Sequence, residues 1–407
     1  MTNSTSAIPG ADPADRPTVH LMPGGHRRAV AGHPWLYSNE ILMDQRAKAL
    51  TPGTIVRLVA EHGEAIGAAS FNPHSLIAAR LISRAPEVRI DPPFLADRLR
   101  RALGLRERIV PAPFYRLVHA EADGLPGLIV DRYGDALVVQ ANSAGMECLT
   151  PLLIEALEMV LAPEAVLLRN DSVARAQEGL PSETSWVKGG PSRTVDLIEN
   201  GARFPIELGQ GQKTGWFFDQ RENRAMVAAL AGGARLLDLY CYGGGFAVQA
   251  ACAGACEVLA VDRSEPALVA ARRAAEANRL DGRCRFERAE AFDRLQRLRQ
   301  AGERFDILVA DPPAFVKSKR ELAQGAKGYR KLVRLAAPLI NEGGFLFVAS
   351  CSHHVDPPLF AEQVRRGLLD ANRGGRILAS TGAGKDHPVH PALPESAYLK
   401  AQLLQID

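Results

Sequence analysis

The stretch ARLLDLYCYGGGFAVQAACAGACEVLAVD, residues 234–262, restricts the fold more than any other part of the chain. It reads as a buried strand at 236–240, a turn of three glycines (Gly243, Gly244, Gly245), an alanine-rich helix, and a second strand ending at Asp262. From about Val195 onward, strands alternate with helices in this manner, which predicts an α/β domain with a parallel, doubly wound sheet. Glycines at the first turn let backbone approach a ligand, and an acid ending the second strand can accept both hydroxyls of a ribose. A nucleoside cofactor is implied. The spacing G-x-G-x-x-G, which seats a pyrophosphate on a helix N-terminus, is missing. Asp238, just before the turn, instead suits the amino-acid part of S-adenosylmethionine. These details favour a methyltransferase over a dinucleotide-dependent dehydrogenase.

The segments downstream supply the rest of a cofactor pocket. Ser264 and Pro266 mark the start of an amphipathic helix running to about Asn278. The strand CRFERAEAF ends near Glu290, where an acid can lie next to an adenine. Phe292 is either a base contact or the first core residue of the next helix. Tyr240, Arg263 and Ala291 adjoin these positions and are expected to line the same pocket.

Chemistry enters with FDILVADPPAFVKSK, where Asp311-Pro312-Pro313 follows a hydrophobic strand at the edge where doubly wound sheets bind ligands. The prolines offer no backbone donors and fix the local carbonyls, so Asp311 can face the polar edge of a base. The next strand, GGFLFVASCSHH, brings Cys351 to the same edge. Carbon 5 of a pyrimidine is not nucleophilic until a thiolate adds at carbon 6, a step that needs a cysteine of lowered pKa beside an acid. Cys351 and Asp311 are therefore the candidate catalytic pair. The other cysteines, at 148, 241, 252, 256 and 284, lack this setting and receive no chemistry.

With 407 residues, 46% of them hydrophobic, the chain is long enough for two or three domains. Three are expected after a short disordered leader at 1–16: a small β-barrel at 17–92, a connector helix with a small α+β domain at 93–194, and the doubly wound domain at 195–407. A net charge of +3 does not by itself announce a nucleic-acid partner, so local clusters such as His26-Arg27-Arg28 and Arg98 to Arg101 carry that argument. The cysteines show neither zinc-ligand nor disulfide spacing, so no metal is expected and a reducing cytoplasm fits. No stretch approaches the ~18 apolar residues of a membrane helix.

These residues, taken with others along the chain, resemble the bacterial family of large-subunit (23S) ribosomal RNA cytosine-C5 methyltransferases that carry an N-terminal PUA domain. His33-Pro34-Trp35-Leu36-Tyr37-Ser38 resembles its PUA signature, and residues 121–131, EADGLPGLIVD, resemble its central-domain signature. GQKTGWFFDQRENR at 211–224 resembles its hallmark before the cofactor strand, and Asp386-His387-Pro388 with Tyr398-Leu399-Lys400 its terminal pattern. The resemblance implies that Gln212, Lys213, Thr214, Phe218, Asp219 and Arg221 belong to the cofactor pocket. It also implies methylation of carbon 5 of a cytidine in large-subunit ribosomal RNA, with Cys351 as nucleophile and Asp311 holding the base. The N-terminal modules would grip the RNA, no membrane is involved, and a homodimer stays open. Relatives usually have Asp where Glu290 stands. Two alternatives remain at this point: methylation of a guanine or adenine nitrogen, for which Asp311-Pro312-Pro313 suffices, and a non-catalytic RNA-binding or ribosome-assembly protein.

Overall fold

Short apolar runs separated by capped helices dictate the second half of the chain, because strands buried on both faces stay parallel only through crossover helices. In the computed structural model they form β1 (Arg235–Leu239), α1 (Gly245–Cys252), β2 (Glu257–Asp262), α2 (Glu265–Ala277), β3 (Cys284–Arg288) and α3 (Ala291–Gln300). There follow β4 (Phe305–Ala310), α4 (Leu322–Ala336), β5 (Ile340–Ser350), α5 (Pro357–Asp370), β6 (Gly375–Thr381) and β7 (Lys400–Ile406). Residues 8, 10–191, 193–209, 215–280 and 282–407 are described.

The strand order is β3-β2-β1-β4-β5-β7-β6. The first five strands run parallel, and β7 is antiparallel to both β5 and β6. Order reverses between β1 and β4, so their carboxyl ends flank the crevice where such sheets bind ligands. Ser264 caps α2 by accepting the Ala267 amide, as its sequence predicts, and Asp356 caps α5 through the Leu359 amide. Two boundaries differ from expectation. The first strand ends at Leu239, since Tyr240 already turns away with φ 62°. The third stops at Arg288, leaving Glu290 exposed as the N-cap of α3.

The chain divides into two compact units. The doubly wound sheet, with the hairpin Thr194–Glu199 and Ala202–Glu207, forms one; the described residues up to Arg193, the stretch around Leu208, and Asp386–Ser396 form the other. That second body holds two five-stranded sheets, which share one core: Ile55, Ala68 and Ile82 of the first sheet lie in one cluster with Val139 of the second and with Leu149 and Leu153 of the helix Ala144–Leu161. The N-terminal sheet and the central module are thus one unit. A β-carbon on Gly145 would come within 2.1 Å of the Ser70 side chain, so the long helix Ala144–Leu161 lies directly on the first sheet.

The expected disordered leader needs correcting from residue 10 onward. Arg16 is buried, and its guanidinium donates to the carbonyls of Gly10 (2.9 Å), Ala11 (3.0 Å), Pro86 (2.5 Å) and Val88 (2.7 Å), tying this stretch to the unit. The signature segments also meet here. Trp35 donates its indole N–H to Glu121 at 2.8 Å, and Arg106 grips Asp123 through both carboxylate oxygens at 2.5 and 2.7 Å while donating to the Asp386 carbonyl at 3.0 Å. Among the described residues no helix is long and apolar enough to cross a membrane.

Candidate functional site

The turn after β1 is strained where a ligand would sit. Tyr240 and Tyr242 both have positive φ, 62° and 48°, a conformation that costs non-glycine residues about 1–3 kcal/mol each and concentrates at functional sites. Between them, Cys241 donates its amide to Val261 of β2 at 3.1 Å. Asp262 fixes the turn from the neighbouring strand, accepting the amides of Tyr242 (3.0 Å) and Ser264 (2.8 Å) on separate oxygens. Each oxygen keeps a second lone pair, so a half-buried carboxylate remains available to a ribose.

The three glycines divide their work differently from expectation. A β-carbon on Gly244, whose φ is +78°, would meet Ala271 of α2 at 3.1 Å, and one on Gly245 would lie 2.5 Å from the Arg224 guanidinium. Close packing of protein on protein therefore requires these two. Gly243 has ordinary room, its nearest neighbour being the Trp216 ring at 3.6 Å.

Asp238 is buried beneath the turn, and one oxygen accepts the Ala247 amide at 3.0 Å. Its other oxygen has no hydrogen-bond partner among the described residues. Burial drives this carboxyl well above the ordinary carboxylate range, the Ala247 bond opposes that, and Asp311 and Asp262 add to the rise. An orphaned buried acceptor of this kind calls for a donor, and a cationic one would favour the charged carboxylate. The ammonium on the amino-acid part of S-adenosylmethionine fits that need.

Of the residues before the sheet, Gln212, Lys213 and Thr214 lie outside the described residues. Phe218 is buried with the Arg221 guanidinium 5.4 Å from its ring centre, and Asp219 accepts the Tyr398 hydroxyl at 2.5 Å. Sequence reasoning missed the group that organises this segment. Glu199, on the hairpin, accepts from Arg224 (2.6 Å), Gln249 (2.9 Å) and the Trp216 indole (3.0 Å), and Arg221 lies 3.8 Å away. Glu199 occupies the inward-facing position two residues after buried Leu197, where a charge demands partners, and those partners come from distant segments that no local pattern announces.

Gln220 was also missed. Thr381 donates to the Asn223 carbonyl oxygen (2.7 Å), Asn223 to the Gln220 carbonyl oxygen (2.6 Å), and Gln220 to Asp311 (2.9 Å). Each bond fixes the orientation of the next amide, so the Asp311 carboxylate is aimed by a one-directional chain.

Asp311 leaves the end of β4, with Pro312 buried behind it, and Cys351 leaves the end of adjacent, parallel β5. Ser350 and Ser352 flank the half-buried cysteine and turn inward to a single hydroxyl, that of Tyr329 on α4, at 2.8 Å each. Ser352 also accepts the Val316 amide at 3.2 Å, which ties the cysteine turn to the segment after Asp311. Burial pushes the thiols of Cys148, Cys241 and Cys252 up, and that of Cys284 up to about 12, which leaves them poor nucleophiles. Ala291 is buried, Arg263 exposed, and Phe292 half-buried against the Phe315 ring at 6.2 Å, as a core-edge residue would be.

Residues 159–401 match the S-adenosylmethionine-dependent methyltransferase family, and residues 19–84 match the PUA-like domain family. The chain is 36% identical over 394 residues to ribosomal RNA large subunit methyltransferase I of Tolumonas auensis, covering 95% of this chain and 99% of the relative. It is 34% identical over 385 residues to the protein of that name in Escherichia coli, covering 93% and 97%. Among solved structures, a Streptococcus mutans protein assigned to the SAM-dependent methyltransferases superposes with TM-score 0.80 at 21% identity, covering 96% of this chain and all 100% of that one. A methyltransferase solved in complex with SAH gives TM-score 0.81 at 21% identity, over 96% and 99%. Both likenesses speak for the fold.

Proposed function

The chain belongs to the ribosomal RNA large subunit methyltransferase I family, and from that premise we propose that it methylates carbon 5 of a cytidine in large-subunit ribosomal RNA. The observation that carries the carbon-5 reading is the placement of Cys351 and Asp311 on adjacent strand ends at the switch crevice, each fixed by its own hydrogen-bonded support. S-adenosylmethionine, when bound, supplies an electrophilic methyl group. Asp238 would hold its ammonium and Asp262 its ribose. The Cys351 thiolate adds to carbon 6 of the base, pushing electron density onto carbon 5. Asp311 holds the base and assists proton movement. Once carbon 5 carries the methyl group, loss of its proton expels the thiolate and restores the aromatic ring. RNA containing 5-fluorocytidine tests this directly, because fluorine blocks that last loss. The expected result is a denaturation-resistant protein–RNA adduct, mapped to Cys351; no adduct would favour nitrogen methylation.

A base inside folded RNA must be extruded to reach such a pocket, so the surroundings have to hold the backbone. The N-terminal modules, residues 17–92 and 93–194, would share this grip. Within them Arg98 is committed inward, donating to the carbonyls of Gly124 (2.5 Å) and Ile82 (2.6 Å), whereas Arg27, Arg100 and Arg101 stay exposed. The catalytic unit carries its own basic strip. Lys317, Lys319, Arg320, Lys327, Lys331 and Arg334 are all exposed, and among the described residues none has an ion-paired carboxylate. Gly325 and Gly328 let α4 lie against the Phe315 segment, since a β-carbon at either would come within 3 Å of Phe315, and this keeps the strip beside the Asp311 turn. Lys327→Glu with Lys331→Glu should weaken RNA binding and lower its salt slope by about one to two, with cofactor affinity unchanged. An unaltered slope in filter-binding titrations would take these lysines out of the RNA contact.

Asp262→Ala should reduce S-adenosylmethionine affinity roughly ten- to a hundredfold, or about 1.5–3 kcal/mol, the usual worth of a charged hydrogen-bond acceptor. Calorimetry on the folded variant measures it, and wild-type affinity would remove Asp262 from the pocket.

A further inference from the structure

We propose that the Lys400 ammonium stabilises Cys351 as its thiolate, which makes Lys400 a positioning residue for the nucleophile. The inference rests on the reading of Cys351 given above. It starts from the sheet register: Lys400 of β7 lies directly opposite Ser350 of β5, one residue before the cysteine. The lysine side chain then reaches past it. Its Nζ donates to the Ser352 carbonyl at 2.7 Å and to the Tyr398 carbonyl at 2.8 Å, so the ammonium lies along the cysteine turn on the β7 side.

Lys400 is 6% exposed, and among the described residues no carboxylate forms an ion pair with it. A buried ammonium with two carbonyl acceptors keeps one N–H and its full charge for another partner, and is costly without an anion nearby. Burial lowers the lysine below its ordinary range, and negative charge first on Cys351 and then on Asp356 pulls it back up. The attraction is mutual, so the same field favours the thiolate.

Other groups bear on the sulfur. From α4 comes the Tyr329 hydroxyl, kept protonated by burial and bonded to Ser350 and Ser352. At the start of α5, the Asp356 carboxylate opposes a thiolate but is occupied with the Leu359 amide at 2.7 Å. His353 lies over the Tyr398 ring at 5.6 Å. From adjacent β4 the Asp311 carboxylate also opposes a thiolate while it accepts from Gln220 at 2.9 Å, and among these described groups Lys400 is the fixed cation. The Cys351 proton leaves to solvent, its electron pair forms the bond to carbon 6, and elimination returns that pair to sulfur. Lys400 favours the anion at both ends and transfers no proton itself.

The test is the pH profile of Cys351 alkylation by iodoacetamide in the full-length protein, read by mass spectrometry of the Cys351 peptide. Wild-type Cys351 should titrate below the ~8.5 of a free thiol. Lys400→Met should move the profile up by about one unit, a roughly tenfold slower alkylation at neutral pH, and Lys400→Arg should keep most of the wild-type behaviour. Three results overturn the proposal: a wild-type thiol titrating at or above the free value, an unmoved profile in folded Lys400→Met, or a folded Lys400→Arg raised like a charge-free variant. If Lys400→Met does not fold, wild type and Lys400→Arg decide. Alkylation needs neither RNA nor cofactor, so a Cys351→Ser enzyme that still methylates would refute the nucleophile without touching this titration.

Discussion

Cys351→Ser should lower RNA methylation by a thousandfold or more while cofactor affinity, RNA affinity and folding stay as in the wild type. The substitution keeps a small, hydrogen-bonding side chain at the end of β5, so the supports at Ser350, Ser352 and Tyr329 have no reason to move. What changes is the electron pair: a serine hydroxyl stays protonated at neutral pH and cannot add to carbon 6. The loss should therefore fall on kcat, as expected when an interaction made only along the reaction path is removed. Single-turnover methylation of ribosomal RNA measures it. Near wild-type turnover in the folded variant would end carbon-5 chemistry through this thiol, and methylation of a base nitrogen at Asp311-Pro312-Pro313 would take its place.

The parts of the site legible in the sequence are those made by neighbours in the chain. The apolar run before Asp238, the glycine turn, the acid ending β2, the Ser264 cap and the prolines after Asp311 all follow from local pattern, and the fold turns them into one crevice. The parts not legible depend on contacts between distant segments. Glu199 lies on a hairpin that shows no catalytic motif, yet it ties Trp216 and Arg224 to Gln249 of α1. Gln220 gains its meaning only when Thr381 and Asn223 fall in line behind it. Glycine is ambiguous in sequence, because a missing β-carbon serves a ligand and a packed side chain equally; Gly245 serves Arg224. Nor does a linear reading reveal that residues 386–396, flanked on both sides by the catalytic unit, belong to the N-terminal one. A fragment cut near residue 194 would carry that segment stripped of its partners.

The stability of the N-terminal unit should drop by about 3–5 kcal/mol in Asp123→Ala, a much larger effect than a signature residue reserved for RNA contact would show. Arg106 is wholly buried, and four of its hydrogen bonds converge on this one point: two to the Asp123 carboxylate, one to the Arg116 carbonyl at 2.9 Å and one to the Asp386 carbonyl at 3.0 Å. Removing the carboxylate leaves a guanidinium in the interior with carbonyl dipoles but no counter-charge, and the His119 amide, bonded to Asp123 at 2.6 Å, loses its acceptor. Arg106→Met with Asp123→Ala removes both charges and should recover part of the loss, because two apolar groups of similar size cost less than one stranded ion. Hydrogen exchange followed by peptide mapping places the effect: protection should fall in the strands Phe114–His119 and Leu128–Tyr133 and in 386–396, which Asp386 joins by accepting the Arg116 amide at 3.0 Å. If Asp123→Ala kept its stability and lost only RNA affinity, the signature would be a recognition surface, and the buried pair would not be what holds the C-terminal segment in the N-terminal unit.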